Sequence, residues 1–254
     1  VYDRGRGPAI GPNKDKRKGM VKLDSLKAWL EETKNNKLER MDAFFESKLG
    51  GYEEHMSVMG EYYEHMAQWI PEGTKTLLDL GCGTGLELDR IFKRFPDMEV
   101  TGIDLSKAML EQLEKKHGNK KLTLFCTDYF TKPFGRECFD AAVSFQTLHH
   151  YRPEKKLLIF QKVYQCLKYG ACYIECDYVA KNQEEEDLLF AEAARRRERD
   201  GIPEDVFVHF DTPLTLEHEI EIIRQAGFDK VSVLEITEDG HTALVVAAKN
   251  RFVS

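Results

Sequence analysis

The chain has 254 residues, enough for one α/β domain with insertions or at most two small domains. Its formal charge of −7 excludes a nucleic-acid-binding surface spread over the whole molecule. With 42% hydrophobic and 32% charged residues it reads as an ordinary globular chain, and no apolar run approaches the roughly 20 residues that span a bilayer.

Residues 1–19 are rich in glycine and proline, lack the apolar core of a secretory signal, and carry six Lys/Arg against two Asp. Such a segment buries too little apolar surface to order itself, so a disordered basic tail is expected. Residues 22–49 then show helical spacing of Leu23, Leu26, Leu30, Leu38, Met41, Phe44 and Phe45, broken in two by the polar stretch 32–37. Gly50-Gly51 makes a loop, and a further helical segment runs from Tyr52 to Trp69 before Pro71-Glu72-Gly73.

Residues 76–80 (Thr-Leu-Leu-Asp-Leu) are a short apolar strand running into Gly81-Cys82-Gly83-Thr84-Gly85 and then a helical pattern to Phe95. A buried strand, a turn without side-chain bulk and a helix start let a ligand approach the backbone and its unpaired N–H groups. Residues 100–103 form a second strand ending at Asp104, with Ser106 placed to cap the helix carrying Met109, Leu110 and Leu113. Strands follow at 122–126, ending near Asp128, and at 139–145, ending near Gln146. A helix at about 153–167, a turn at Lys168-Tyr169-Gly170 and a fifth strand at 171–176 continue the alternation. The last third holds a charged helix at 184–199, a loop around Gly201, and a helix from its cap Thr215 to Ala226 with Gly227 as the stop. Two strands at 231–236 and 242–248 close the chain around the hairpin signal Glu238-Asp239-Gly240.

Strands alternating with helices argue for βαβ units, a parallel sheet, and a ligand at the carboxyl ends of the strands. Asp79, Asp104 and Asp128 all fall along that edge, although each alone is equally well a cap or a turn former. The loop is Gly-x-Gly-x-Gly, which lacks both the dinucleotide spacing and the Gly-Lys-Ser/Thr ending of a phosphate-gripping loop. A phosphate-free nucleoside ligand therefore fits better than NAD or ATP. The six cysteines are scattered, without a Cys-x-x-Cys pair, and read as reduced core residues, which points to the cytoplasm.

Leu78-Asp79-Leu80-Gly81-Cys82-Gly83-Thr84-Gly85, with Asp104, Asp128 and the strand at 139–145, resembles the class I S-adenosylmethionine (SAM)-dependent methyltransferases. Leu167-Lys168-Tyr169-Gly170 resembles the family's Leu-Lys-Pro-Gly turn with tyrosine in place of proline. Phe44-Phe45 followed by Tyr52 resembles the lid of its small-molecule members, and Ala226-Gly227-Phe228 the turn into its sixth strand. The resemblance covers roughly residues 44–249. It implies a Rossmann-like seven-stranded, mostly parallel sheet with the last strand antiparallel and helices on both faces. A helical lid over 20–70, a SAM-binding domain over 71–254 and an acceptor-side insertion at about 178–211 follow from it.

The resemblance also assigns roles. Gly81, Cys82 and Gly83 would line the methionine moiety of SAM, with Asp79 facing its amine. Asp104 would hold the ribose, Leu105 and Met109 would flank the adenine, and Asp128 or Tyr129 would meet its amine edge. Phe145 and Gln146 would sit beside the sulfonium, and Tyr52 would close over the cofactor.

For the acceptor, His149 and His150 are the candidates for a general base, set against a plain polar loop. No metal site is expected from this pair, because no third ligand lies at a telling spacing. Arg195 and Arg199 are candidate clamps for an acidic acceptor, against the alternative of a solvated helix face balancing Glu184-Glu185-Glu186. His209, Phe207 and Phe210 are candidate pocket walls. The expected activity is methyl transfer from SAM to a small-molecule acceptor, with neither a membrane nor a nucleic acid as partner. Two alternatives are a carboxy-SAM synthase-like chemistry, suggested by the looser similarity of Leu189-Phe190, Gly201 and Thr215-Leu216, and a non-catalytic SAM-binding module.

Overall fold

The computed structural model of the protein describes residues 18–250. The tail read at 1–19 lies outside the described residues except for Lys18 and Gly19, which open a helix. In chain order the helices are α1 (Lys18–Thr33), α2 (Met41–Lys48), α3 (Tyr52–Met56), α4 (Gly60–Trp69), α5 (Leu88–Arg94), α6 (Lys107–His117), α7 (Pro153–Cys166), α8 (Gln183–Asp200) and α9 (Leu216–Gln225). The strands are β1 (Thr76–Leu80), β2 (Glu99–Asp104), β3 (Lys121–Cys126), β4 (Phe139–Phe145), β5 (Leu167–Tyr178), β6 (Lys230–Ile236) and β7 (Thr242–Ala248).

One seven-stranded sheet runs in the order β3-β2-β1-β4-β5-β7-β6. The first five strands pair in parallel, and β7 is antiparallel to both of its neighbours. The strand order reverses between β1 and β4, and ligands of open α/β sheets bind outside such a switch point. Both faces of the sheet are covered, so its central strands are apolar on both sides. Leu78, Leu80 and Ala142 join Phe160, Ile223 and Phe228 in one core. Leu77, Val100, Ala141 and Val143 join Met66, Ile91 and Leu113 in the other.

Local chemistry fixes the helix ends. Ser106, Asn182 and Thr215 each accept a backbone N–H from the first turn of α6, α8 and α9. Gly201 ends α8 in the left-handed conformation at φ 64° and donates its N–H to Glu198 O. The turn expected at 168–170 is an outward excursion within β5. Phe139 pairs with Leu167 and Ala141 with Cys172, so three residues loop out. Beneath the sheet Lys156 of α7 and Glu219 of α9 form an ion pair at 2.5 Å, both fully buried. Burial alone would push the Lys156 ammonium down, and the Glu219 carboxylate beside it holds it up.

The stretch expected as a lid divides. The side chains of α4 pack in the sheet's core, with Met66 and Ala67 fully buried. α1, α2 and the entry to α3 lie over the strand ends and the segment after α8, while α4 touches the strand ends through Tyr63, whose ring lies 4.1 Å from that of Phe145. Leu26 and Leu30 of α1 pack on Leu189 of α8 and on Phe210. The chain between α1 and α2 is pinned to the run after α8 by an antiparallel bridge between Arg40 and Val208, with Met41 N donating to Phe207 O at 3.2 Å and His209 N to Glu39 O at 2.9 Å. No helix among the described residues is long and apolar enough to cross a membrane.

Candidate functional site

The glycine loop after β1 is folded back on its neighbour strand, with Gly81 N and Cys82 N both donating to Ile103 O. Gly81 sits at φ 71°, and a Cβ there would fall 2.2 Å from Thr147 Oγ1 and 2.7 Å from Tyr129 Oη. No side chain fits at this position, so the close approach of the three segments requires glycine. Asp104 ends β2 directly opposite the loop, accepting from Gly83 N through Oδ2 at 3.0 Å and from Ser106 N through Oδ1 at 2.8 Å. Burial raises its pKa, against the backbone N–H groups of Ser106 and Gly83, which favour the charged form. Each oxygen keeps acceptor capacity for a ligand hydroxyl.

One cavity is bounded by these groups. Gly81, Gly83, Asp104, Leu105, Met109, Tyr129, Phe145 and Gln146 line it from the sheet side, and Tyr52 from α3 closes it together with Met41, Asp42 and Phe45. Gln146 is held at φ 51°, a conformation rare for a residue with a side chain, by its N–H bond to Cys176 O and its side-chain bond to Thr242. Thr147, which sequence reading did not single out, also lines the cavity and is hydrogen-bonded to Tyr129 at 2.6 Å.

Three residues expected along this edge stand elsewhere. Asp79 is fully buried below the loop, where burial and then Glu87 raise its pKa well above the ordinary carboxylate value. Neither of its oxygens has a hydrogen-bond partner among the described residues. The Cys82 thiol points into the core, against Gly102, leaving only its backbone near the loop. Asp128 turns its carboxylate onto Phe130 N at 2.8 Å and borders a neighbouring cavity with Arg152 and Phe207. Tyr129, not Asp128, faces the ligand space.

A second cavity, of about 410 Å³, lies between α1, the start of α2, α8 and residues 209–211. Trp29, Phe44, Tyr178, Arg196, His209 and Asp211 are among its walls. His209 stacks on Phe44 at 3.6 Å between ring centroids. Arg195 and Arg199, the expected clamps, are not in it. Both are surface side chains that bind the Lys34 carbonyl, paired with Glu192 and Asp200 respectively. They lie one turn apart on the outer face of α8, and the residue that turns inward is Arg196. It is buried, bound to Glu192 at 2.7 Å and Thr33 at 2.8 Å, and 4.9 Å from the Phe210 ring.

Between the two cavities stand His149 and His150. His149 is buried with Nδ1 2.6 Å from Asp177, and Nε2 3.5 Å from Asp211. Burial opposes its charge, but Asp177 and then Asp211 outweigh that and raise its pKa. His150 lines the first cavity, with Nδ1 3.4 Å from Asp211, and its ring is 5.1 Å from that of His209. Burial, then the charge on His149, push its pKa well down, so it is neutral. Asp211 is the carboxylate that sequence spacing gave no reason to place beside this pair.

Residues 77–170 match the family model described as a methyltransferase domain. Malonyl-[acyl-carrier protein] O-methyltransferase of Legionella pneumophila is 36% identical over 83 residues, 32% of this chain and 29% of that protein. The biotin biosynthesis bifunctional protein BioHC of Teredinibacter turnerae is 28% identical over 167 residues, 62% of this chain and 27% of that protein. The chain thus spans less than a third of the length of either relative. The fold is shared with human N-acetylserotonin methyltransferase in complex with SAM, at TM-score 0.55 and 15% identity over 79% of this chain and 54% of that one.

The matched stretch, residues 77–170, holds the glycine loop, Asp104 and the strand ends that bound the first cavity, and is similar to a methyltransferase domain. The ligand that this likeness implies is S-adenosyl-L-methionine. The residues present fit that ligand: a Cβ at Gly83 would project toward Tyr52 Oη, 3.5 Å away across the mouth of the cavity, and Asp104 lines the same space with both of its oxygens.

Proposed function

We propose that this protein transfers a methyl group from SAM to a small-molecule acceptor bound in the cavity between α1, α2, α8 and residues 209–211. The observation that carries this reading is that His150, on the wall of the first cavity, lies 3.4 Å from Asp211, on the wall of the second. SAM supplies a methyl group on a sulfonium whose leaving group is already activated. The protein's part is then to orient, to exclude water and to bring the acceptor into line.

On this reading Asp104 receives two ribose hydroxyls, and Leu105 and Met109 hold the adenine between them, with Tyr129 at its edge. Gly81, the Cys82 backbone and Gly83 border the methionine moiety, with Asp79 acting on its amine from below. Phe145 and Gln146 face the sulfonium, and Tyr52 closes the cavity from α3. His150, neutral and lining the cavity, stands against the reacting atom of the acceptor. Arg196 and His209 line the acceptor's side, whose volume suits a metabolite. The segments at α1 and α2 serve as the acceptor's cap, together with residues 178–211.

A carboxy-SAM synthase-like chemistry would need an arginine on the cofactor, and no arginine is among the described residues lining the first cavity. The test is a screen for S-adenosylhomocysteine release against a panel of metabolites, alongside mass spectrometry of any ligand retained on purification. Release with one acceptor class and plain SAM in the site is the expected result. No release above the protein-free rate, or a carboxylated cofactor in the site, would overturn the reading.

A further inference from the structure

His149 and His150 follow β4, whereas His209 and Asp211 come from the run after α8, sixty residues on. Nε2 of His149 and Nδ1 of His150 lie 3.5 and 3.4 Å from the same oxygen, Oδ1 of Asp211. Nε2 of His209 is 3.8 Å from it. One ligand-type atom from each of His149, His150 and Asp211 lies within 4.8 Å of the others. Two nitrogen or oxygen ligands bound tetrahedrally at about 2.0–2.1 Å are separated by about 3.4 Å. Both measured separations are therefore the edge length of a tetrahedral coordination shell.

The surroundings match as well. Asp177 takes His149 Nδ1 at 2.6 Å and is itself fixed by Leu148 N and Tyr178 N, both at 2.8 Å. A carboxylate on one ring nitrogen sets the tautomer and aims the other nitrogen at the shared point. Asp177 and Asp211 bring two carboxylates to the buried pair of imidazoles, one behind His149 Nδ1 and one between the two rings. The contact of His150 Nδ1 with Phe210 O, at 3.4 Å, is long for a hydrogen bond and leaves that nitrogen available.

We propose that His149 Nε2, His150 Nδ1 and the Asp211 carboxylate, with His209 Nε2 at the rim, form a binding site for a divalent transition-metal ion. A nitrogen-and-oxygen set without sulfur suits zinc and its first-row neighbours better than magnesium or calcium. Because the site lies in the partition between the two cavities, an ion there would favour an acceptor with an ionisable oxygen or sulfur. His150 would then meet the acceptor through the ion. That last point rests on the methyltransferase reading, whereas the binding of the ion does not.

The test is a cobalt titration of the full chain after chelator treatment, followed by the visible d–d bands and by displacement with zinc. Wild-type protein should develop the bands of a low-coordinate nitrogen–oxygen site, saturating at one equivalent. Asp211→Asn and His150→Gln should each bind at least about tenfold more weakly, and Asp177→Asn, a positioning change, about 10–100-fold more weakly. Circular dichroism checks that each variant is folded. If the substitutions unfold the chain, NMR of the wild-type imidazoles decides: cobalt-shifted His149 and His150 signals support the site. Absent bands, unchanged affinity in folded variants or unshifted imidazoles would overturn it. A chain that binds cobalt yet releases no S-adenosylhomocysteine keeps the metal site and loses the methyl-transfer reading.

Discussion

The cofactor edge and the acceptor edge of this sheet are built by opposite means. At the cofactor edge, backbone sets the shape: glycines without Cβ atoms, two N–H groups that fix Asp104, and apolar walls from the start of α6. At the acceptor edge, charged and aromatic side chains from segments far apart in sequence meet in a buried cluster. The first design depends on conformations that few residues adopt. The second depends on keeping buried charges matched, both in the partition and in the layer beneath it.

The largest expected effect tests the charge matching. Lys156→Met leaves Glu219 buried without its cation and should cost about 3–5 kcal/mol in denaturant unfolding. Replacing both partners by apolar residues of similar volume should restore most of it, and a double variant as unstable as the single one would break the comparison. At the cofactor edge, Gly81→Ala meets Thr147 at 2.2 Å while Gly83→Ala meets nothing closer than Tyr52 at 3.5 Å. The first should weaken SAM binding about 30-fold or more, some 2 kcal/mol, and the second by only about 1 kcal/mol of backbone strain. Equal losses in calorimetry would show that conformation, not close approach, governs the loop.

Asp104→Ala should weaken SAM at least about tenfold, since it removes the acceptor for both ribose hydroxyls. Unchanged affinity would remove the ribose assignment. Smaller still, Arg195→Ala with Arg199→Ala should leave the unfolding midpoint little changed, because both guanidinium groups stand in solvent. Turnover should persist in that double variant, whereas Arg196→Ala should raise the acceptor's KM.

A pH-dependent effect lies at the opposite edge of the sheet. Asp140 is pulled down to about 2, burial opposing and the Lys168 ammonium and the Lys75 and Thr76 N–H groups outweighing it. A carboxylate depressed in the folded state adds stability above its unfolded value, near 3.9, and loses it as pH falls toward 2. Asp140→Asn should therefore narrow the stability difference between pH 5 and pH 2, leaving SAM affinity untouched.

The same contrast explains what was legible in the sequence. Asp104, Leu105, Met109, Phe145 and Gln146 could be placed because β1, β2 and β4 end where local patterns stop, and parallel pairing then puts those ends side by side. Asp128 was misplaced for a local reason: an aspartate at a strand end can as readily bind its own turn, and Phe130 N captures it. The acceptor edge offered no such guide. Whether Arg195 or Arg196 faces inward depends on the rotation of α8, set by the packing of Leu189 on Leu26 and Leu30 of α1. Asp211 reaches His149 through contacts between segments far apart in sequence: Thr212 N donates to His149 O at 2.9 Å, and residues 207–209 pair with 39–41, about 168 positions away.

That pairing also bears on timing. Two backbone hydrogen bonds, Met41 to Phe207 and His209 to Glu39, join the two halves of the roof, and Phe45 and Tyr52 hang from the same half that carries Met41. Parting the seam would open both chambers at once, so the spent cofactor and the methylated product would share one exit. Turnover would then be paced by a backbone latch, and a slow phase after a rapid first cycle is its kinetic signature.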